Sequence, residues 1–165
     1  MKKIITLVIA TVFIFAACEG PDGPAGPPGE VIVGETFEYP NVNFTAANDF
    51  SFRATFDPPI VDGDVMLAYR LEAVDNGVDI WEPLPSAFFY NETTGDDLQY
   101  RFNFTRGDVK IIIESSDPTA FGADLLSNQV FRVVIVPSDI IAAVDTDNID
   151  AVMKAANIKT VQKFQ

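Results

Sequence analysis

Residues 98–105 alternate without exception between apolar and polar side chains. Successive side chains of a β-strand point to opposite faces of the sheet, so this pattern is typical of a strand with one buried face. The apolar positions resume after residues 106 and 107, at Val109, Ile111 and Ile113. These two runs and the short turn between them predict an antiparallel hairpin.

The same period of two recurs elsewhere in the chain, with turn residues between the runs. Residues 50–56 alternate in this way, and Asn76-Gly77 has the sequence of a two-residue type I′ hairpin turn. Residues 109–113 and 130–136 carry apolar side chains at both odd and even positions, and therefore on both faces of a strand. Such segments are expected in the centre of a sheet, with both faces covered.

One segment near the C-terminal end has a helical period instead. Asp147 can cap a short helix that extends to Ala156, and Asn157 is a suitable stop. Residues 159–165 follow as a candidate edge strand. We therefore predict an all-β domain over residues 31–165: a single antiparallel β-sandwich, immunoglobulin-like or jelly-roll in class, with a short C-terminal helix.

The N-terminal stretch has the features of a secretory leader. Two lysines precede the apolar run at residues 4–15, and Ala16-Ala17 supplies the small residues that a signal peptidase accepts. A membrane-spanning helix needs about 20 apolar residues, so this run is too short for a permanent span. We expect residues 1–17 to be a signal peptide.

Cys18 follows the leader directly and is the only cysteine in the sequence. A leader that ends in two small residues and a cysteine resembles the lipobox of bacterial lipoproteins. The resemblance implies that Cys18 is acylated with palmitate-type chains and begins the mature protein, which would bind a membrane through them. The alternative is an ordinary cleaved leader with an incidental cysteine.

A collagen-like spacer follows within residues 18–30. Gly20, Gly23, Gly26 and Gly29 have a strict period of three, with proline at several positions between them. In collagen this period lets three chains wind together, because only glycine fits at the axis. Four such glycines also suit a single polyproline-II rod, so the sequence leaves both a trimer and a monomeric spacer open.

The composition excludes several functions. The chain has 24 acidic and 11 basic residues, a net charge of −13 and no histidine. Nucleic-acid binding is not expected, because its electrostatic attraction requires clustered Lys and Arg. Without His or a second Cys, the chain lacks Ser-His-Asp and Cys-His nucleophile systems, ordinary zinc sites and disulfides. We expect no cofactor and no enzymatic activity.

Three stretches of the domain carry a family resemblance: WEPLP at 81–85, LQYRFNFT at 98–105 with DVKI at 108–111, and FRVVIVP at 131–137. With the leader and the spacer, they resemble the uncharacterised short collagen-stub lipoproteins of Bacteroidetes-type bacteria. The resemblance implies export and lipid anchoring in the outer membrane, facing the periplasm or the cell surface. It implies no activity.

Three aromatic residues near the proline-rich interruption are candidate ligand contacts. Trp81, Phe89 and Tyr90 could form a platform for a sugar or a peptide, because their rings offer a large contact area. The same residues could instead pack into the core at one end of the sandwich.

Carboxylates give two further hypotheses. Asp145, Asp147 and Asp150 could hold Ca²⁺, although aspartates at a helix start are also expected from capping alone. A glycosidase-like hydrolase would need two acids facing each other across a cleft, and Glu72, Glu82 and Glu114 are the candidates.

The sequence thus favours a non-catalytic binding or structural module of the bacterial envelope. We expect it to contact a protein or polysaccharide through an edge strand, or through the loops around Trp81 and residues 91–97. The competing hypothesis is the carboxylate-based hydrolase.

Overall fold

The computed structural model describes residues 34–164, which are mostly β-structure in two sheets. Strands within this part of the chain are β1 Glu35–Val42, β2 Ser51–Thr55, β3 Val65–Asp75, β4 Val78–Pro83, β5 Phe89–Tyr90, β6 Asp97–Phe104, β7 Asp108–Ser115, β8 Gln129–Val136 and β9 Gln162–Lys163. One sheet has the order β4-β3-β8-β1-β9, and the other has the order β2-β7-β6-β5. Together they are consistent with a β-sandwich.

Both predicted hairpins are present. Strands β6 and β7 pair in antiparallel register, with Phe104 opposite Val109. Strands β3 and β4 pair across Asn76-Gly77, where both turn residues have the positive φ that a type I′ turn requires. The prediction of a purely antiparallel domain was wrong in one place. The short strand β9 runs parallel to β1 at the edge of its sheet.

The helices differ in part from the prediction. They are α1 Ala123–Leu126, α2 Ser138–Ile141 and α3 Ile149–Ala155, together with 3₁₀ turns at Ala46–Asn48 and Pro118–Ala120. Helix α3 is the predicted one, but its cap is Asn148, whose side chain accepts from the Ala151 N–H, rather than Asp147. It ends at Ala155, and Asn157 two residues later is the expected stop, with a φ of 52°.

The main core lies between the two sheets. The apolar side chains on the inner face of β1, β3 and β8 pack there against those on the inner face of β6 and β7. The completely buried members of this core are Leu98, Tyr100, Val109, Ile111, Phe131 and Val133. The alternation in the sequence is therefore explained by one face of each strand being withdrawn from water.

A second apolar cluster covers the outer face of the five-stranded sheet. Val134 and Val136 of β8 point to this side and pack against Ile149 and Val152 of α3. Strand β8 is thus central and covered on both faces, as predicted. For β7 the prediction was wrong: the strand is central, but Ile112 on its outer face is only half-buried.

Candidate functional site

An open cleft of about 500 Å³ lies at one side of the sandwich, where β1 and β9 face the segment that follows β2. Its walls are largely aromatic and aliphatic. The lining includes Phe37, Tyr39, Phe56, Ile60, Val61 and Phe164. The cleft therefore offers a largely apolar surface to a ligand.

Proline and backbone hydrogen bonds form one wall of the cleft. Pro58 and Pro59 end β2, because proline has no N–H to donate to the ladder. The chain then turns along the β6–β7 hairpin, where the Ile60 N–H donates to the Arg106 carbonyl at 2.9 Å. Arg106 Nε donates in return to the Ile60 carbonyl at 3.1 Å. These bonds fix the wall on the turn of the hairpin.

The other wall depends on β9. Phe164 lies against β1, with its ring centre 5.9 Å from that of Phe37 and 5.2 Å from that of Tyr39. Phe37 in turn contacts Phe56 at 5.6 Å, which joins the two walls at the floor of the cleft. Burial raises the pKa of the Tyr39 hydroxyl to about 12, so this residue is neutral at physiological pH.

A free strand edge runs beside the cleft. Strand β2 pairs with β7 on one side only, and the Phe56 N–H donates to the Gly107 carbonyl. In an antiparallel pair the hydrogen-bonded residues alternate, so the backbone groups of Ser51, Arg53 and Thr55 point away from β7. A strand edge of this kind can accept a further extended segment.

The charged groups around the cleft are acidic. Glu35, Asp57 and Asp64 line it, and no lysine or arginine does so among the described residues. The cleft therefore combines an apolar floor with a negative rim.

The structure places the three predicted aromatic contacts in different surroundings. Trp81 lies inside β4, rather than in an interruption, and the guanidinium of Arg132 stands 4.0 Å from its ring centre. Phe89 points between the sheets, 5.9 Å from Tyr100, whereas Tyr90 is 66% exposed. In the described part of the chain, no two of these three rings are in aromatic contact with each other, and none of them lines the cleft.

Phe89 belongs instead to a buried polar cluster that the sequence did not indicate. Arg70 enters the core from β3 and lies 5.2 Å from the ring centre of Phe89. Its Nη1 donates to Glu82 Oε2 at 3.1 Å and its Nε donates to Gln129 Oε1 at 3.0 Å. Burial raises the pKa of Tyr100 beside it to about 12, although Arg70 opposes this shift.

A second ionic cluster lies on the outer face of the same sheet. Glu38 accepts from Arg132 Nη2 at 2.5 Å and pairs with Lys163 Nζ at 2.6 Å. Burial raises the pKa of Glu38, but the hydrogen bonds from Lys163 and Arg132 outweigh it and leave the pKa below its usual value. Lys163 thereby attaches β9, and with it one wall of the cleft, to β1.

The aspartates proposed for calcium contribute to local structure. Asp145 Oδ1 accepts from the Asp147 N–H at 3.1 Å, and Asp150 lies in the first turn of α3. Burial and the negative charges of Asp147 and Asp145 raise the pKa of Tyr69, whose hydroxyl donates to the Thr146 carbonyl. Among residues 34–164, no three potential metal ligands come together.

The three candidate catalytic glutamates lie apart in the fold. Glu82 is bound to Arg70, Glu114 pairs with Arg101 on the other sheet, and Glu72 is exposed near the β3–β4 turn. None of them lines the cleft.

Cys18, the leader and the spacer lie outside the described residues. Within residues 34–164, no helix combines the length and the hydrophobicity that crossing a bilayer would require. No protein-family model matches this chain, and comparison with curated proteins and with solved structures finds no significant similarity. The resemblance to collagen-stub lipoproteins therefore stays a prediction.

Proposed function

We propose that this chain is a membrane-anchored lipoprotein of the bacterial envelope whose β-sandwich is a non-catalytic binding module. The leader, Cys18 and the glycine period support attachment to the outer membrane through a lipid and a short spacer. An immunoglobulin-like or jelly-roll topology is part of the same proposal, since both consist of two facing sheets.

The observation that carries the binding role is the cleft beside the free edge of β2. An extended polypeptide segment can pair with the outward backbone groups of Ser51, Arg53 and Thr55. The alternate side chains of that segment would then lie against Phe56 and Phe164, where burying an aromatic ring removes a large apolar area from water. We infer a polypeptide ligand with aromatic or aliphatic side chains.

A polysaccharide fits this cleft less well. Sugars are held by many hydrogen bonds from polar side chains, in addition to ring stacking on exposed aromatic faces. Here the aromatic rings pack on one another, and the polar groups at the rim are mainly carboxylates. A neutral oligosaccharide is therefore the appropriate negative probe.

The proposal can be tested by NMR titration of the domain from Glu30 onward. The probes are a blocked hexapeptide of alternating threonine and phenylalanine, and maltohexaose. We expect the peptide to shift the backbone resonances of Phe37, Phe56 and Phe164, and to slow exchange of the outward Arg53 amide. Binding of the saccharide alone, or of neither probe at millimolar concentration, would contradict the proposal.

A pair of matched variants locates the binding. Val61 at the rim of the cleft is 68% exposed, and Val74 in the β3–β4 hairpin is 58% exposed. Val61→Glu introduces a charge at the cleft, whereas Val74→Glu introduces the same charge elsewhere. Binding of the Thr-Phe peptide should be lost in the first variant and retained in the second. Equal affinity in both would place the peptide outside the cleft.

A further inference from the structure

The β3–β4 hairpin projects beyond the rest of its sheet. Strand β8 pairs with β3 from Val65 to Arg70, and no pairing of β8 extends to the later residues of β3. Residues 72–80, which we call the arm, are consequently all exposed. Because Val65 lies opposite Val136, next to the cleft residue Pro137, the arm extends from the opposite end of the sandwich.

The arm exposes aliphatic side chains that no described part of the chain covers. Val78 is 66% exposed, Val74 58% and Ile80 42%. Single exposed apolar residues are normal on a protein surface. Val78 and Ile80 alternate along β4 and share one face of the two-stranded ribbon, whereas Val74, opposite Asp79, lies on the other face. The neighbouring side chains of Val78 and Ile80 offer an exposed apolar contact to a partner.

The outer edge of β4 also has unpaired backbone groups. Asp75 and Val78 flank the two-residue turn and form a hydrogen-bonded pair, so the backbone of Asp79 points away from β3. By the same alternation the Trp81 N–H points to the free edge, consistent with the Leu84 N–H donating to Ala68 on β3.

The charge of the arm selects its partner. Glu72, Asp75 and Asp79 are its acidic residues, and it contains no lysine or arginine. The sole ion pair of these acids within the described chain is a long one, 3.9 Å from Asp79 to Arg132. Two arms would both be negatively charged, which disfavours pairing between two copies of the chain.

We propose that the arm binds a cationic, extended polypeptide segment by strand addition to β4. Along β4 the order is Val78, Asp79, Ile80, so an added strand meets aliphatic, acidic and aliphatic side chains in turn. Directly opposed side chains share a face of the sheet, so the complementary sequence alternates aliphatic residues with Lys or Arg. This surface is distinct from the cleft and does not depend on it.

Amide exchange and affinity measurements on the folded domain test this inference. The probe is a blocked octapeptide of alternating valine and lysine, and the control probe has glutamate in place of lysine. We expect the lysine peptide to protect the Asp79 and Trp81 amides from exchange and to leave the Arg53 amide on β2 unchanged. Its affinity should fall as salt is raised, because the attraction is between exposed charges.

Two variants complete the test. The triple variant E72Q/D75N/D79N keeps the shape of the arm but removes its charge, and it should bind the lysine peptide about tenfold more weakly. Val61→Glu, at the cleft, should bind it normally. The inference would be overturned if the triple variant bound the lysine peptide with unchanged affinity, or if the glutamate peptide bound equally well. It would also be overturned if millimolar lysine peptide did not protect the Asp79 and Trp81 amides from exchange.

The remaining alternative is that the arm binds a second copy of this chain instead of a separate cationic segment. If sedimentation shows a dimer and the Asp79 and Trp81 amides are already protected in it, the arm is a self-association surface and the inference is wrong. A monomer whose edge amides exchange freely without peptide supports a separate cationic partner.

Discussion

The guanidinium carbon of Arg70 lies 5.0 Å from the ring centre of Tyr100, inside the sandwich rather than at its surface. This arginine has only 7% of its side chain exposed, and its charge is balanced by Glu82. A buried ion pair of this kind makes the fold dependent on both partners, because an unpaired buried charge is costly.

The first prediction follows from that pair. Glu82→Gln should lower the free energy of unfolding by about 3 kcal/mol, because it leaves Arg70 buried without a counter-ion. Urea unfolding monitored by the fluorescence of Trp81 would measure the change. The double variant R70M/E82Q should lose less than the sum of the two single changes. A strictly additive result would show that the two side chains do not interact.

The second prediction concerns acid stability. The folded-state pKa of Glu38 is below the ordinary glutamate value of 4.5, so its contribution to stability is present above about that pH and is lost as the pH falls. Unfolding midpoints of the native protein should therefore decrease below this pH. Glu38→Gln should be less stable at neutral pH and should show a weaker decrease on acidification. An identical pH profile for the two proteins would contradict this assignment.

The third prediction concerns Gly34, where β1 begins. A Cβ at this position would lie 2.8 Å from the Ile135 carbonyl oxygen and 2.9 Å from the Ala156 Cβ. Gly34→Ala should therefore destabilise the domain by about 1–3 kcal/mol, because β1 would have to move from β8 or from the end of α3. Gly107→Ala is the control, since its nearest neighbour is 3.9 Å away. Equal thermal midpoints for the two variants would refute the predicted clash.

The fourth prediction tests the anchor. If Cys18 carries the lipid, Cys18→Ala should abolish incorporation of a palmitate analogue and move the protein out of the membrane fraction of cells. Metabolic labelling followed by fractionation measures both effects. A variant of the spacer, Pro24→Ala, should keep the label. Normal membrane association of Cys18→Ala would exclude lipidation as the means of attachment.

Local sequence pattern was sufficient for much of the fold. The β6–β7 and β3–β4 hairpins, the β8 strand and the stop at Asn157 follow from alternation, turn residues and helix ends, all of which are short-range. The parallel pairing of β9 with β1 could not be predicted in this way. It depends on residues far apart in the sequence, Lys163 and Glu38, whose ion pair the pattern of either segment does not specify.

The candidate site was less predictable for the same reason. The cleft is lined by residues from three separate segments, among them Phe37, Phe56 and Phe164. The local sequence around each of them is that of an ordinary core residue. Arg70 also gave no signal, because an arginine in an alternating strand is normally placed on the exposed face. A weak indication was available in Pro58-Pro59, because proline cannot donate to the ladder and therefore ends the strand that forms one side of the cleft.

The placement of cleft and arm at opposite ends of the strands has a mechanical consequence. Tension between Gly34 and a partner held on the arm would act along the strands. Strand β1 is paired with β8 over five consecutive residues from Glu35 to Tyr39, and with β9 at Phe37 and Glu38. Such a load strains these backbone hydrogen bonds in shear, all at the same time, instead of opening them one after another. This geometry suits a domain that must stay folded while it is pulled.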